Sequence, residues 1–316
     1  MPITFDISKG DAAMEQKSPS LLGTVLVLLA GMSWGTSGVF VRYFTALGMS
    51  AMQLTLFKCA IPGVVLLLYC LLFRRDVLRV KLKDLWIFIC LGVISLTFFT
   101  WCYFSTIQAT SMSAAAILLY LAPVLVMIMS AILFKEEVTK TKVIACLMAF
   151  AGCFFVSGFI GNAVPLPFRA IVTGLLSALG YALYSIFSQL ALNRGYDPLT
   201  LPTYAFIFAG LSSLPFAHPA EIIAAGSASP LKFAGMLCLM AFMVSLLPYL
   251  LYTNGLMRST PGRASIMASI EPVTATVLGA LFFHELSDLY GYLGIALVIG
   301  AIVLLNLNIN KTASSN

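Results

Sequence analysis

Ala264-Ser265-Ile266-Met267-Ala268-Ser269-Ile270-Glu271-Pro272-Val273-Thr274-Ala275-Thr276 is the stretch on which the reading of this chain turns. It lies inside an apolar segment, residues 260–283, long enough to cross a bilayer. A carboxylate near the middle of such a segment costs about 2.5–3.5 kcal/mol on insertion scales. Pro272 removes a helix hydrogen bond and frees a carbonyl one turn earlier. Two costs side by side at membrane depth require either burial among helices that satisfy both groups, or a watery cavity where they do work.

Composition says that the rest of the chain shares this solvent. Of 316 residues, 60% are hydrophobic and only 9% charged, against about 25% charged in soluble domains. At about 20 residues per span, the chain has room for about ten helices. Apolar runs fall at 21–44, 51–73, 85–108, 113–134, 142–160, 170–193, 200–216, 233–256, 263–283 and 289–308. The polar first 20 residues run straight into the first apolar segment, which is not a signal-peptide layout, so that helix is expected to stay. All seven cysteines lie in apolar spans with no CxxC spacing and read as buried free thiols.

The net charge of +6 raises the question of nucleic acid, but the cations sort by loop. Of the 18 Lys and Arg, all but Arg42, Arg169, Lys232 and the intra-span Lys58 fall in segments that ten spans place on one side. Positive-inside asymmetry puts that side, with both termini, in the cytoplasm of a plasma or inner membrane.

The chain also repeats itself. Tyr103 and Tyr252, Pro123 and Pro272, Glu136 and Glu285 each stand 149 residues apart, and Trp34-Gly35 answers Tyr181-Ala182 at 147. Leu121-Ala122-Pro123-Val124 thus mirrors Ile270-Glu271-Pro272-Val273. Five helices per repeat is an odd number, so the second repeat is expected upside down relative to the first. The loop charges agree, with three lysines after Phe134 and no Lys or Arg in the matching loop after Phe283. Inverted repeats with a site near the midplane are a common transporter architecture. The expected layout is a tail over 1–20, repeats over 21–160 and 169–308, and a tail over 309–316. The fold class is all-α, with about ten transmembrane helices around a central cavity.

On the doubled Pro…Glu unit, on Gly291-Tyr292-Leu293-Gly294 and on Trp34-Gly35, the chain resembles the ten-helix, EamA-like branch of the drug/metabolite transporter superfamily over about residues 21–308. The resemblance implies a basket-like bundle with a central cavity, helices five and ten at its edge, and movement of small metabolites, often amino acids. Lys58 departs from the arginine that such proteins often carry in the second helix.

Helical spacing nominates the site. Ser177, Tyr181, Tyr184 and Ser188 share one face of the sixth span; Ala30, Trp34, Ser37 and Val41 share the matching face of the first. Trp and Tyr give flat apolar area, a hydrogen-bonding tip and a π-face for cations. Candidate substrate contacts are therefore Trp34, Ser37, Trp101, Tyr103, Tyr120, Tyr181, Tyr184, Tyr252 and Glu271, with interhelical packing or an interfacial aromatic belt as the competing reading. Pro123, Pro248 and Pro272 are candidate hinges. Counting about 1.5 Å per residue, Glu271 and Lys58 reach similar depths, so they form a possible charge pair. Glu271 reads either as a substrate or proton site or as a structural cap or pairing partner, with the structural reading slightly ahead. Glu136 and Glu285, at helix ends, read as accepting bonds from the next helix's N-terminal amides.

Enzyme readings find no support. His218 and His284 fall in loops, no zinc-like spacing or Ser-His pair sits at membrane depth, and no ATP-binding loop is present. No cofactor or metal is expected. The expected partners are a small-molecule substrate, the lipid bilayer and a possible coupling proton or ion; no nucleic acid is expected, and the protein is read as a monomer or homodimer. The first functional reading is a secondary transporter exporting amino acids by alternating access. A second is an organic-cation transporter with an aromatic cage around Glu271. A third is a non-transporting receptor or scaffold.

Overall fold

The computed structural model describes residues 20–110, 112–157, 167–284 and 289–313. Among these the regular structure is helical throughout. The first half contains α1 (Leu21–Gly35), α2 (Ser37–Ala46), α3 (Ala51–Phe73), α4 (Leu85–Ile89), α5 (Phe99–Ala109), α6 (Met112–Leu119), α7 (Ala122–Phe134) and α8 (Lys140–Val156). The second contains α9 (Phe168–Asn193), α10 (Thr200–Ser213), α11 (Pro219–Gly226), α12 (Pro230–Met240), α13 (Leu247–Leu256), α14 (Pro261–Ala268), α15 (Ile270–Phe283) and α16 (Leu289–Ala313). Two π-helical segments, Cys90–Phe98 and Ala241–Leu246, join α4 to α5 and α12 to α13.

Eight of the resulting rods are long and apolar enough to cross a membrane. A ninth qualifies if 200–226 counts as one span, although it bends by 96° before α11. The expected ten are therefore not all reached among the described residues: α8 has 17 residues, one or two turns short of a full crossing. The protein is a multi-pass membrane protein built from two repeats.

Local chemistry explains where the rods begin. Ser20 caps α1 by accepting from Gly23 N–H at 3.0 Å. Ser50 and Gln53 form a reciprocal capping box on α3. Lys135 and His284, repeat mates, end α7 and α15 in the left-handed conformation at φ 55° and 56°.

Small residues set the packing. Gly31 and Gly35, one turn apart on α1, let it press against the break between α14 and α15, where an added Cβ would stand 2.9 Å from the Ala268 carbonyl and 2.7 Å from that of Glu271. Their mates on α9, Ala178 and Ala182, pack against Ala122 and Val126 of α7. Gly152 and Gly294 bring α8 and α16 together at the edge. The seven thiols are free, five of them buried; contrary to the uniform burial expected, Cys90 is half-buried and Cys238 exposed, because each lies on the outer face of its helix.

Polar ties join the two repeats at the lysine-rich end of the bundle. Asp84, buried, pairs with Arg194 and accepts from Tyr196 OH at 2.7 Å. Arg74 bonds Asp197 at 3.0 Å; the two carboxylates beside it, Asp76 and Asp197, hold its guanidinium above its usual range. Glu136 does not cap α8, the next helix. It accepts from Gly262 N–H at the start of α14 at 3.1 Å and meets Lys142 Nζ at 3.1 Å, because α7 ends against the second repeat. Glu285 lies outside the described residues.

Candidate functional site

The segment around Glu271 is not one continuous helix. It breaks at Ser269, and α15 starts at Ile270, so Glu271 stands in the first helical turn. A carboxylate there meets the positive end of the helix dipole. Pro272, two residues into the helix, sits where an amide would have no intrahelical partner anyway. The two costs read from the sequence thus fall where a helix start reduces both. The first repeat breaks at the matching place, Tyr120–Leu121, just before Pro123. Pro248 follows the second π segment. All three prolines therefore mark real irregularities in their helices.

Glu271 is only partly buried, and Tyr181 OH donates to its Oε2 at 3.3 Å. Beside them runs a cleft lined by Leu119, Tyr120, Ala122, Pro123, Tyr181, Ser265, Ala268, Ser269 and Glu271, with space for about one water molecule. The expected central cavity is thus narrow here, because the halves of two broken helices close over it.

Lys58, on α3, is half-buried and makes no hydrogen bond or ion pair among the described residues. It and Glu271 form no ion pair with each other among the described residues. Neither has a charged repeat mate: Ile207 answers Lys58, and Ala122 answers Glu271.

A ring cluster fills the neighbouring space. Trp34 lies 6.4 Å from Tyr181, 5.2 Å from Tyr249 and 5.3 Å from Tyr252, centroid to centroid. Tyr184 lies 4.9 Å from Tyr249 and 6.3 Å from Tyr252. Tyr252 shares a 2.6 Å hydrogen bond with Ser185. Phe99 bridges Tyr181 at 5.7 Å and Tyr103 at 6.1 Å. Tyr120 lines the same cleft as Glu271.

Two expected contacts stand apart. Trp101 is 47% exposed and stacks on Phe98; two positions before Tyr103, it points to nearly the opposite side of α5. Ser37 begins α2, with the turn at Thr36 between it and the face through Ala30 and Trp34. Tyr249, which stands in the sequence beside Pro248 and near Tyr252 but is not among the candidate contacts, and Phe99, which is not nominated either, sit within the cluster. An aromatic directly after a mid-span proline was the available signal for Tyr249; Phe99 carried none.

A broken-helix, two-repeat bundle with a charged and aromatic centre defines a membrane transporter. The EamA-like transporter family matches the chain twice, over residues 21–158 and 168–307, and the chain belongs to that family. Similar proteins are named as transporters too. An uncharacterized transporter of Archaeoglobus fulgidus is 27% identical over 89% of this chain and 95% of its own length. The uncharacterized inner membrane transporter YicL of Salmonella typhimurium is 23% identical over 92% and 97%. The uncharacterized transporter YetK of Bacillus subtilis is 26% identical over 77% and 74%. A solved crystal structure matches with TM-score 0.73 at 19% identity, over 92% of this chain and 98% of that one, which is a likeness of fold.

Proposed function

We propose that this protein exports amino acids, as a secondary transporter that alternates access between its two repeats, with both termini in the cytoplasm. The observation that carries the reading is the pair of separated charges at the centre. Among the described residues Glu271 accepts one hydrogen bond, from Tyr181, and the Lys58 ammonium finds no acceptor. Ionisable groups inside membrane spans are costly and mark substrate or ion pathways. An amino-acid zwitterion supplies both missing partners, its ammonium to Glu271 and its carboxylate to Lys58. The rings of Trp34, Tyr181, Tyr184 and Tyr252 offer apolar area to its side chain.

The organic-cation reading is weaker for the same reason: a cation caged beside Glu271 would face the uncompensated positive charge of Lys58. A receptor or scaffold gains nothing from two half-accessible charges inside membrane spans, one of them at a helix break. A cleft with space for about one water suits a closed stage of the cycle, with Pro123, Pro248 and Pro272 as the places where helices bend to open it. Loading by a proton or another ion would act at Glu271.

Reconstituted protein, loaded or unloaded with a pH gradient, decides between these readings in a flux panel of amino acids and quaternary amines. Amino-acid flux that Glu271→Gln and Lys58→Met each reduce at least tenfold supports the proposal. Flux of quaternary amines alone would establish the cage. No flux of either class, with wild-type folding intact, would remove both.

A further inference from the structure

The two π-helical segments occupy matching places in the repeats. Cys90–Phe98 shifted by 149 residues covers 239–247, and the second segment is Ala241–Leu246. Turns this wide are rare and concentrate at functional sites. In such a turn an amide bonds back five residues: Phe99 N–H reaches the Ile94 carbonyl, and Leu247 N–H reaches that of Phe242. The next amide of the second segment belongs to residue 248, and its acceptor would be Met243, the repeat mate of Ile94. Residue 248 is proline and has no N–H to give.

The Met243 carbonyl instead accepts the hydroxyl of Ser33, at 2.5 Å, from α1. The mate of Ser33 is Gly180 on α9, and it packs against the corresponding carbonyl: a Cβ at Gly180 would stand 3.4 Å from Ile94 O and 3.0 Å from Phe99 Cβ. The same joint is therefore built twice. In one repeat the helix supplies its own amide and the neighbouring helix presents glycine; in the other, proline withholds the amide and the neighbouring helix presents a hydroxyl.

We propose that Ser33 is a positioning residue: its hydroxyl replaces the amide that Pro248 lacks, and so holds the second π turn and the tyrosines beyond it in place. The widened turn matters because each extra residue rotates the downstream part of the helix by about 100° around its axis. Tyr249 and Tyr252 face Trp34, at 5.2 and 5.3 Å, in the widened register. With Ser33 gone, Met243 finds a partner most readily in the Leu247 amide, four residues on, and the regular register turns both rings away from Trp34.

The test is amide hydrogen exchange on the full chain in detergent, with Ser33→Ala, Pro248→Ala and their combination. It needs no substrate, so its failure is independent of the transport reading. Ser33→Ala is expected to speed exchange of amides 243–252 roughly fivefold, the equivalent of one net hydrogen bond, and to leave amides 94–103 unchanged. Ser33→Thr keeps the hydroxyl and the protection. Combining Ser33→Ala with Pro248→Ala returns protection to 243–252, because residue 248 regains its amide. Equal loss of protection with and without Pro248, or none in Ser33→Ala, overturns the proposal. Should Ser33→Ala not fold, recovery of folded protein in the combined variant supports it, and failure of both overturns it.

Discussion

The Thr260 hydroxyl donates to Glu136 Oε1 at 2.5 Å, joining the two repeats across 124 residues of sequence. The same carboxylate, nearly buried, accepts from the Ser130 hydroxyl and Gly262 N–H and pairs with Lys142. One anion thus ties the end of α7 and the start of α8 to the start of α14. Removing one partner of a buried pair costs about 3–5 kcal/mol. Glu136→Gln keeps one acceptor oxygen and is expected to destabilise by about 2 kcal/mol; Thr260→Val loses about 1 kcal/mol. Thermal unfolding in detergent reads both, and the double variant should cost less than the sum, because the two share one bond.

Lys58 and Glu271 make a second prediction through their charges. Lys58→Met leaves a carboxylate in the bundle with no nearby cation, and Glu271→Gln leaves an ammonium with no anion. Each single variant is expected to yield less folded protein than Lys58→Met/Glu271→Gln, which removes both charges. Size-exclusion recovery after mild heating measures the order. A double variant worse than both singles would show that the two charges do not balance each other.

Gly35 provides a test of packing with a control three residues away. A Cβ at Gly35 would lie 2.6 Å from Thr274 Cβ and 2.7 Å from the Glu271 carbonyl, whereas Gly38 has nothing within 4 Å. Gly35→Ala must push α1 away from α15, a change of the overpacking kind that costs about 1–3 kcal/mol. Gly38→Ala is expected to be neutral or slightly stabilising. Melting temperatures of the two variants should separate by several degrees.

Tyr181 is the one hydrogen-bond donor to Glu271 among the described residues. Tyr181→Phe keeps the ring and its contacts with Trp34 and Phe99 and removes only the hydroxyl. A loss of about 1 kcal/mol in the bond predicts a roughly fivefold change in apparent substrate affinity with little change in melting temperature. An equal fall in both would assign the hydroxyl to folding alone.

Much of this architecture was legible because the repeat is written in residues that break helices or end them. Pro123 and Pro272 sit after matching breaks, and Lys135 and His284 end matching helices, so a single offset of 149 carried the plan of both halves. The faces were harder. Reading Ser37 onto the surface of Trp34 assumed about 100° per residue without interruption, and a turn at Thr36 stands between them. Trp101 failed for a different reason: its type suggested a site, while its position opposite Tyr103 sends it outward. The π turns left no composition signal apart from Pro248. The place of Glu271 at a helix start was hidden because no capping side chain marks the break: the Ser269 hydroxyl bonds back to the Ser265 carbonyl.

That break divides the labour of one membrane span. Below Ser269, α14 is held by Glu136 through Thr260 and Gly262, and by Arg263, whose guanidinium bonds the Leu305 carbonyl and Asn306 of α16. Above it, α15 is seated on α1 through Gly35. Both pieces also rest on α1, α14 through Gly31 and α15 through Gly35, and they share one junction, with Glu271 beside it. A twist of a few backbone angles at that junction changes the direction in which the carboxylate looks, while both anchored pieces stay whole.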